Sequence, residues 1–507
     1  MTMTERRADW PQWVTTVLGM MWLALFPLWQ DGSYSRITHS KWMGMLILTG
    51  VTAAACVHML SVLTRQRELK GSVRLSWLHG AALAYFALVT LSAFLGSWAD
   101  YNNEAGQLAV FYGAKRYEGL ITQGCYGLIF LAMSLTRVRV RHLVDAAAWG
   151  LVAYAGIVAL QYADINVLEL FPVGTSIHTN YEFQGPIGNI DMVVGYAALA
   201  IPLCLGGFAV MKRPAWGWLL SGVAGVLLLL CMEVQCGLIM LAGLLFLLVL
   251  IALRIPRSRG RVLLILGGSL LMLSVRLLLA LPWLDGTEEL LFPHGFGWRK
   301  LLPAALGLVL IGLGALAAVH PGRALQKRWV ALIGAALLIA AVLAAYFLPM
   351  PAGSGLWELQ ELLHGRGQDA FGSERIGVWR LTLEMSRENL LWGTGPDTFL
   401  YAMDDHLWRT GQSLVQRFDN PHNMVLAVLS NSGLPAMLMF LLLTFGAAGW
   451  GFARADRRPA VLPLLLAVVC YLAQGMFTFS ICLVTPMFYA VLGMLAGETA
   501  APETERM

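Results

Sequence analysis

Along the chain, apolar stretches of roughly 17 to 25 residues alternate with shorter polar segments, and each is long enough to cross about 30 Å of hydrocarbon as a helix. They centre near residues 21, 54, 86, 128, 153, 200, 224, 245, 271, 310, 339, 437, 469 and 489. The pattern predicts an all-α polytopic membrane protein of about fourteen transmembrane helices, within a range of twelve to fourteen. Three polar segments exceed what a connection needs: residues 97–118, 163–189 and, longest, 349–421. The expected organisation is eleven helices over residues 1–348, a large loop over 349–421, and three more helices with a short tail over 422–507.

Composition agrees with that reading. Of 507 residues, 58% are hydrophobic and 13% charged, with a mean hydropathy of +0.66, more apolar surface than a soluble core of this size can bury. The net charge of +5 comes from short basic clusters between apolar runs, as in loop anchors, which argues against a nucleic-acid partner. If orientation alternates, one side holds 22 of the 35 basic residues, among them Arg6, Arg65, Arg137, Arg254, Arg323, Arg454 and Arg506. The positive-inside rule then makes that side cytoplasmic, puts both termini there, and makes the long loop extracytoplasmic. The first apolar run ends in Phe-Pro-Leu-Trp-Gln-Asp without a small-x-small cleavage pattern, so an uncleaved first helix is expected. The seven cysteines lie in or beside apolar stretches without a CxxC pair, and neither disulfides nor a metal cluster is expected.

The long loop mixes acidic residues with six arginines and with Trp357, Trp379, Trp392 and Trp408, a composition that folds rather than stays disordered. From Glu374 to Leu391 it predicts an amphipathic helix with Ile376, Trp379, Leu383 and Leu390 on one stripe, ended by Gly393 and Gly395 with Pro396 behind.

The segment richest in chemistry is Asn420-Pro421-His422-Asn423, where the loop returns to the membrane. Asn420 as a cap and Pro421 as a helix start are structural readings. His422 differs, because an imidazole at a membrane edge can exchange protons with water near neutrality. Arg375, Arg380 and Arg387 lie in the same loop, and guanidinium forks suit a phosphate or diphosphate that gains charge as it leaves. Arg380 and Arg387 can instead form a ladder with Glu384, which leaves Arg375 the stronger ligand candidate. Arg276 sits a few residues inside the end of its helix, where function and snorkelling both remain open. Arg116 and Glu118 flank a helix start and can pair with each other. Gly188, Asn189 and Asp191 form a tight polar turn that can face a sugar, with capping as the other reading of Asn189. There is no phosphate-binding Gly-rich loop, His/Cys metal spacing, Gly-x-Ser-x-Gly elbow, internal repeat or soluble nucleotide-sugar domain.

Gly188-Asn-Ile-Asp191, Ser373-Glu-Arg-Ile-Gly-Val-Trp379, Gly393-Thr-Gly-Pro-Asp-Thr-Phe399 and Pro421-His-Asn423, with Gly433 ten residues further on, together resemble the O-antigen ligase and O-antigen polymerase superfamily (Wzy C-terminal domain-like), membrane glycosyltransferases of the GT-C type. The resemblance covers mainly residues 180–240 and 370–440. It implies transfer of a glycan from undecaprenyl diphosphate to a hydroxyl acceptor on a glycan, lipid or protein, outside the bacterial cytoplasmic membrane, with no metal or other cofactor. It further implies His422 and Arg375 as catalytic residues, His422 activating the hydroxyl. Arg116, Arg276, Arg380, Asn189 and Asn423 are the expected substrate contacts, with arginines on the diphosphate. The chain departs from the family pattern at Val234-Gln-Cys-Gly237, where many members have Ser-Arg-Gly, and at Met437, where ligases often carry Asp, Thr or Asn. The rival class is a lipid-linked oligosaccharide flippase, which would place ionisable residues at mid-bilayer and show two related halves.

Overall fold

A computed structural model describes residues 3–279, 298–319, 326–347, 355–368, 371–372, 374–414 and 417–500. Arg323, Ser373 and Arg506, and parts of the long loop, lie outside the described residues. Among the described residues the fold is helical, with one hairpin of two-residue strands in which Phe183–Gln184 pairs antiparallel with Gly188–Asn189.

The helices in chain order are α1 (Met3–Met20), α2 (Ile37–Arg65), α3 (Trp77–Leu95), α4 (Leu120–Ser134), α5 (Val140–Tyr162) and α6 (Ile190–Val210). Then follow α7 (Trp216–Met232), α8 (Gln235–Arg254), α9 (Arg259–Leu278), α10 (Trp298–Val319) and α11 (Lys327–Phe347). The long loop supplies α12 (Gly355–Leu363), α13 (Arg375–Ser386) and α14 (Phe399–Thr410), and the chain closes with α15 (Met424–Arg454), α16 (Leu462–Gly475) and α17 (Thr485–Ala500). The apolar centres predicted from the sequence fall on helices throughout, the first where α1 passes into a π-turn at Met21–Leu25. Among the described residues, nine helices are long and apolar enough to cross a membrane. Shorter apolar helices occur at Leu120–Ser134, Trp216–Met232 and Pro459–Gly475.

The chain forms two compact units. The first comprises Met1–Asp31, Arg36–Leu143 and Gln368–Met507. Its α17 lies close against α4 because Gly493 has no side chain, and a Cβ there would stand 2.6 Å from the Phe130 carbonyl. Small residues that admit a neighbouring backbone are how helices gain contact where lipid offers no hydrophobic drive. The second unit comprises Gly32–Ser35 and Val144–Gly367. There α9 and α10 meet through Gly267 and Gly307, each facing the other's carbonyl. Its α6 is buried all round, which is why it reads as apolar on every face rather than amphipathic.

The long loop is divided between the units: α12 belongs to the second, α13 and α14 to the first. The predicted helix over Glu374–Leu391 appears as α13 with a 3-10 turn at Arg387–Asn389. Its buried stripe is not the expected one. Val378, Leu381 and Met385 are buried and form a small core with Phe399, Ala402, Met403 and Phe418, whereas Leu383 and Leu390 are exposed. The reason is α14, which the sequence reading did not anticipate. It supplies the apolar partner, and α13 turns its 378/381/385 face toward it.

Candidate active site

The site in the first unit is built on a broken helix. Within α15, Gly433 adopts φ 81°, ψ 173°, and Pro435 has no amide hydrogen. In an unbroken helix the Ser430 and Asn431 carbonyls would accept from residues 434 and 435. Here Leu434 N–H donates instead to the Leu390 carbonyl at 2.7 Å. The two orphaned carbonyls accept from Thr394 N–H and Gly395 N–H, each at 2.9 Å, and Asn431 O also accepts from Ser92 Oγ at 2.7 Å. Gly393 fits because a Cβ on it would stand 2.5 Å from the Asn431 carbonyl carbon. The Gly-Thr-Gly segment thus serves as a short backbone strand that satisfies a gap in a membrane helix, as burial away from water demands.

Immediately before this broken helix, the Asn420–Asn423 turn presents His422. The turn differs from the expected helix start: α15 begins at Met424, and Asn423 is the cap, its Oδ1 accepting from Val425 and Leu426 N–H at 3.0 Å. Asn423 Nδ2 donates to the Met476 carbonyl at 3.0 Å. Asn420 Oδ1 accepts from His422 N–H at 2.9 Å, closing an Asx turn that holds His422 at φ 48°. Trp379, one turn along α13 from Arg375, donates its indole N–H to the Pro421 carbonyl at 2.9 Å.

The imidazole of His422 meets the edges of Phe418 and Phe479, with ring centroids at 5.5 and 5.2 Å, and its Nδ1 is buried without a hydrogen-bond partner. Burial, followed by the positive charges of Arg375 and Arg116, lowers its pKa to about 4, with Asp419 and the Asn420 hydrogen bond opposing. At neutral pH the ring is therefore uncharged, with a nitrogen free to accept a proton.

Arg116 is fixed from two sides. Its Nε donates to Asp419 Oδ2 at 2.6 Å, and its guanidinium lies over the Phe479 ring, 4.4 Å from the centroid. The expected Arg116–Glu118 pairing is replaced by this one, while Glu118 accepts from Tyr126 Oη at 2.7 Å. Burial pushes the Glu118 carboxyl well above its usual range, and raises Asp397 to about 6. A cleft beside His422 is lined by Arg116, Glu118, Asp397, Asp419, Asn420 and Asn431, with aromatic walls from Tyr85, Phe440 and Phe479.

The structure gathers His422, Arg375, Arg116 and Asn423 in the first unit. Arg380 is also on α13 but exposed. Arg276 and Asn189 belong to the second unit. Arg276 donates to Glu233 Oε1 at 2.5 Å and to the Leu279 carbonyl at 3.1 Å. Asn189 Oδ1 caps α6 by accepting Asp191 N–H at 3.0 Å. Sequence reasoning missed Asp419 and Phe479. Asp419 directly precedes the Asn-Pro-His-Asn motif, and an acid beside such a turn is the signal that would have found it; Phe479 had no local signal.

An all-α polytopic membrane protein with a polar, arginine-bearing site at the foot of a broken helix is the class that fold and site define. Residues 303–441 match the family model described as O-antigen ligase, so this domain-sized stretch of the chain is similar to the O-antigen ligase family. That domain supports a glycosyltransferase-like enzyme of surface polysaccharide assembly, acting as ligase or polymerase. No curated protein matches the chain.

Proposed function

We propose that the protein transfers a glycan from an undecaprenyl-diphosphate carrier to a hydroxyl acceptor on the extracytoplasmic side of the bacterial cytoplasmic membrane, with both termini cytoplasmic. The acceptor oxygen forms a bond to the sugar C1, the C1–oxygen bond to the diphosphate breaks, and the diphosphate leaves with the electron pair. The acceptor proton passes to the neutral imidazole of His422. Arg375 and Arg116 meet the growing charge on the leaving diphosphate. Asn423 holds the turn beneath the imidazole. Arg380 stands as a further contact to diphosphate or glycan. The proposed chemistry calls on no metal, since a diphosphate whose charge is met is already a good leaving group.

The observation that supports this reading is the buried, unpartnered Nδ1 of His422, in a turn tied through Asn420 and Asp419 to Arg116. The geometry also supplies a feedback. A bound diphosphate cancels the positive field that helps depress the histidine, so its basicity rises when donor is in place.

The test is a liposome assay with an undecaprenyl-diphosphate-linked glycan and an acceptor glycan. Wild-type protein should form the glycosidic product and release undecaprenyl diphosphate, and His422→Ala should not. Movement of the lipid-linked glycan across the bilayer without any new glycosidic bond would overturn the proposal in favour of a flippase.

A further inference from the structure

The motif Gly393-Thr-Gly-Pro-Asp397 has so far explained only backbone pairing, which leaves its last residue unused. Asp397 sits at φ 60°, a conformation that costs free energy outside glycine and persists where surroundings impose it. Its carboxylate faces the 113–118 loop rather than its own helix. One oxygen, Oδ2, accepts both Ala114 N–H at 3.0 Å and Glu118 N–H at 3.2 Å. The loop is shaped for that oxygen: Gly113 has φ 97° and a Cβ on it would stand 2.5 Å from Asp397 Oδ2.

Between those two anchored amides lies Arg116. From there a line of polar contacts runs to the histidine. Arg116 Nε meets Asp419 Oδ2, Asn420 Nδ2 donates to Asp419 Oδ1 at 2.7 Å, and Asn420 Oδ1 accepts from His422 N–H. The first two links join side chains, and the last holds the His422 backbone.

We propose that Asp397 is a positioning residue for glycan transfer: by clamping the two amides that flank Arg116, it sets the guanidinium against Asp419 and the His422 turn, so that arginine and imidazole face one substrate in a fixed register. In this role the carboxylate acts through Arg116, whose flanking amides it holds. The proposal rests on the transferase reading above.

A purely structural Asp397 would lower activity through stability, independently of Arg116, whereas a positioning residue loses its effect once Arg116 is gone. Comparing Asp397→Ala, Arg116→Ala and the double variant in the liposome assay separates the two. Asp397→Ala should lower kcat/KM by about tenfold or more alone, and by less than about twofold in the Arg116→Ala background. Asp397→Asn, whose amide oxygen can still accept both N–H groups, should recover most of the activity. Hydrogen exchange of the whole protein supplies a readout independent of catalysis: in Asp397→Ala the amides of Ala114 and Glu118 should exchange faster, with those of α4 unchanged. Additive losses, an Asp397→Asn variant as impaired as Asp397→Ala, or unchanged exchange at 114 and 118 would each overturn the clamp. If wild-type protein transfers no glycan, the transferase reading falls, and the exchange result still decides whether the clamp exists.

Discussion

In each unit a candidate arginine pairs with a carboxylate, and the two pairs are built differently. In the first unit the acid is the more enclosed partner: Asp419 is 16% exposed against 34% for Arg116, and its second oxygen holds Asn420. In the second the acid is the open partner: Arg276 is 9% exposed, whereas Glu233 is 49% exposed and stands at φ 54° in the turn between α7 and α8. Asp419 is part of a scaffold that reaches His422. Glu233 is an exposed carboxylate over an otherwise buried cation, a position an incoming anion can take. A salt bridge between candidate residues thus has two meanings, and the exposure of the acid tells them apart.

The largest effect tests whether the reacting group lies in the first unit. His422→Ala should lower transfer by roughly two to four orders of magnitude, the usual contribution of a general base. Arg276→Ala, assayed alongside for product formed, should retain far more activity. Next, neutralising the two acids should give different outcomes. Asp419→Asn should cost about tenfold in kcat/KM, through a misplaced Arg116 and a loosened turn. Glu233→Gln should leave donor affinity equal or raise it severalfold by releasing Arg276. A loss in both, measured as donor KM, would erase the distinction.

A third effect is in pH. For the free protein the histidine titrates near 4, so kcat/KM should fall only as pH drops toward that value, while the acid limb of kcat, which reports the donor-bound protein, should lie at higher pH. Arg116→Ala removes one of the charges that depress the histidine and should move the kcat/KM limb upward; Arg276→Ala serves as the comparison from the other unit. The same depression has a sign for stability. Between about 6.5 and 4 the unfolded chain binds a proton that the folded His422 refuses, so this residue's contribution to stability declines as pH falls through that window. The smallest effect belongs to the cap on α6: Asn189→Ala should cost about 1 kcal/mol, read as a small drop in the thermal midpoint in detergent.

The helices were legible because period and length are local properties: an apolar run long enough to span lipid has few alternatives. The turn at Asn420–Asn423 was legible as chemistry for a similar reason, since an imidazole beside Asn-Pro is visible in four residues. Its partners were less so. Arg116 and Asp419 are 303 residues apart, and each offered a nearer explanation, a pairing with Glu118 for the arginine and an ordinary loop acid for the aspartate. The buried stripe of α13 was misjudged because it depends on packing against α14, a separate short helix, which the pattern of α13 alone does not show. The break at Gly433 falls in Ser430-Asn-Ser-Gly-Leu-Pro435, a polar interruption of the last long apolar run, but only tertiary contact with residues 390–395 reveals which carbonyls it frees.

That break also has a consequence for synthesis. A membrane segment with two uncovered carbonyls is costly in lipid, and the segment that covers them lies earlier in the chain, so it has already left the ribosome when Met424–Arg454 is made. Chain order therefore works as an assembly instruction: the patch precedes the gap. A circular permutant opened between Thr410 and Phe418, which would deliver Ser430 and Asn431 to the bilayer before Thr394 and Gly395 exist, should insert poorly.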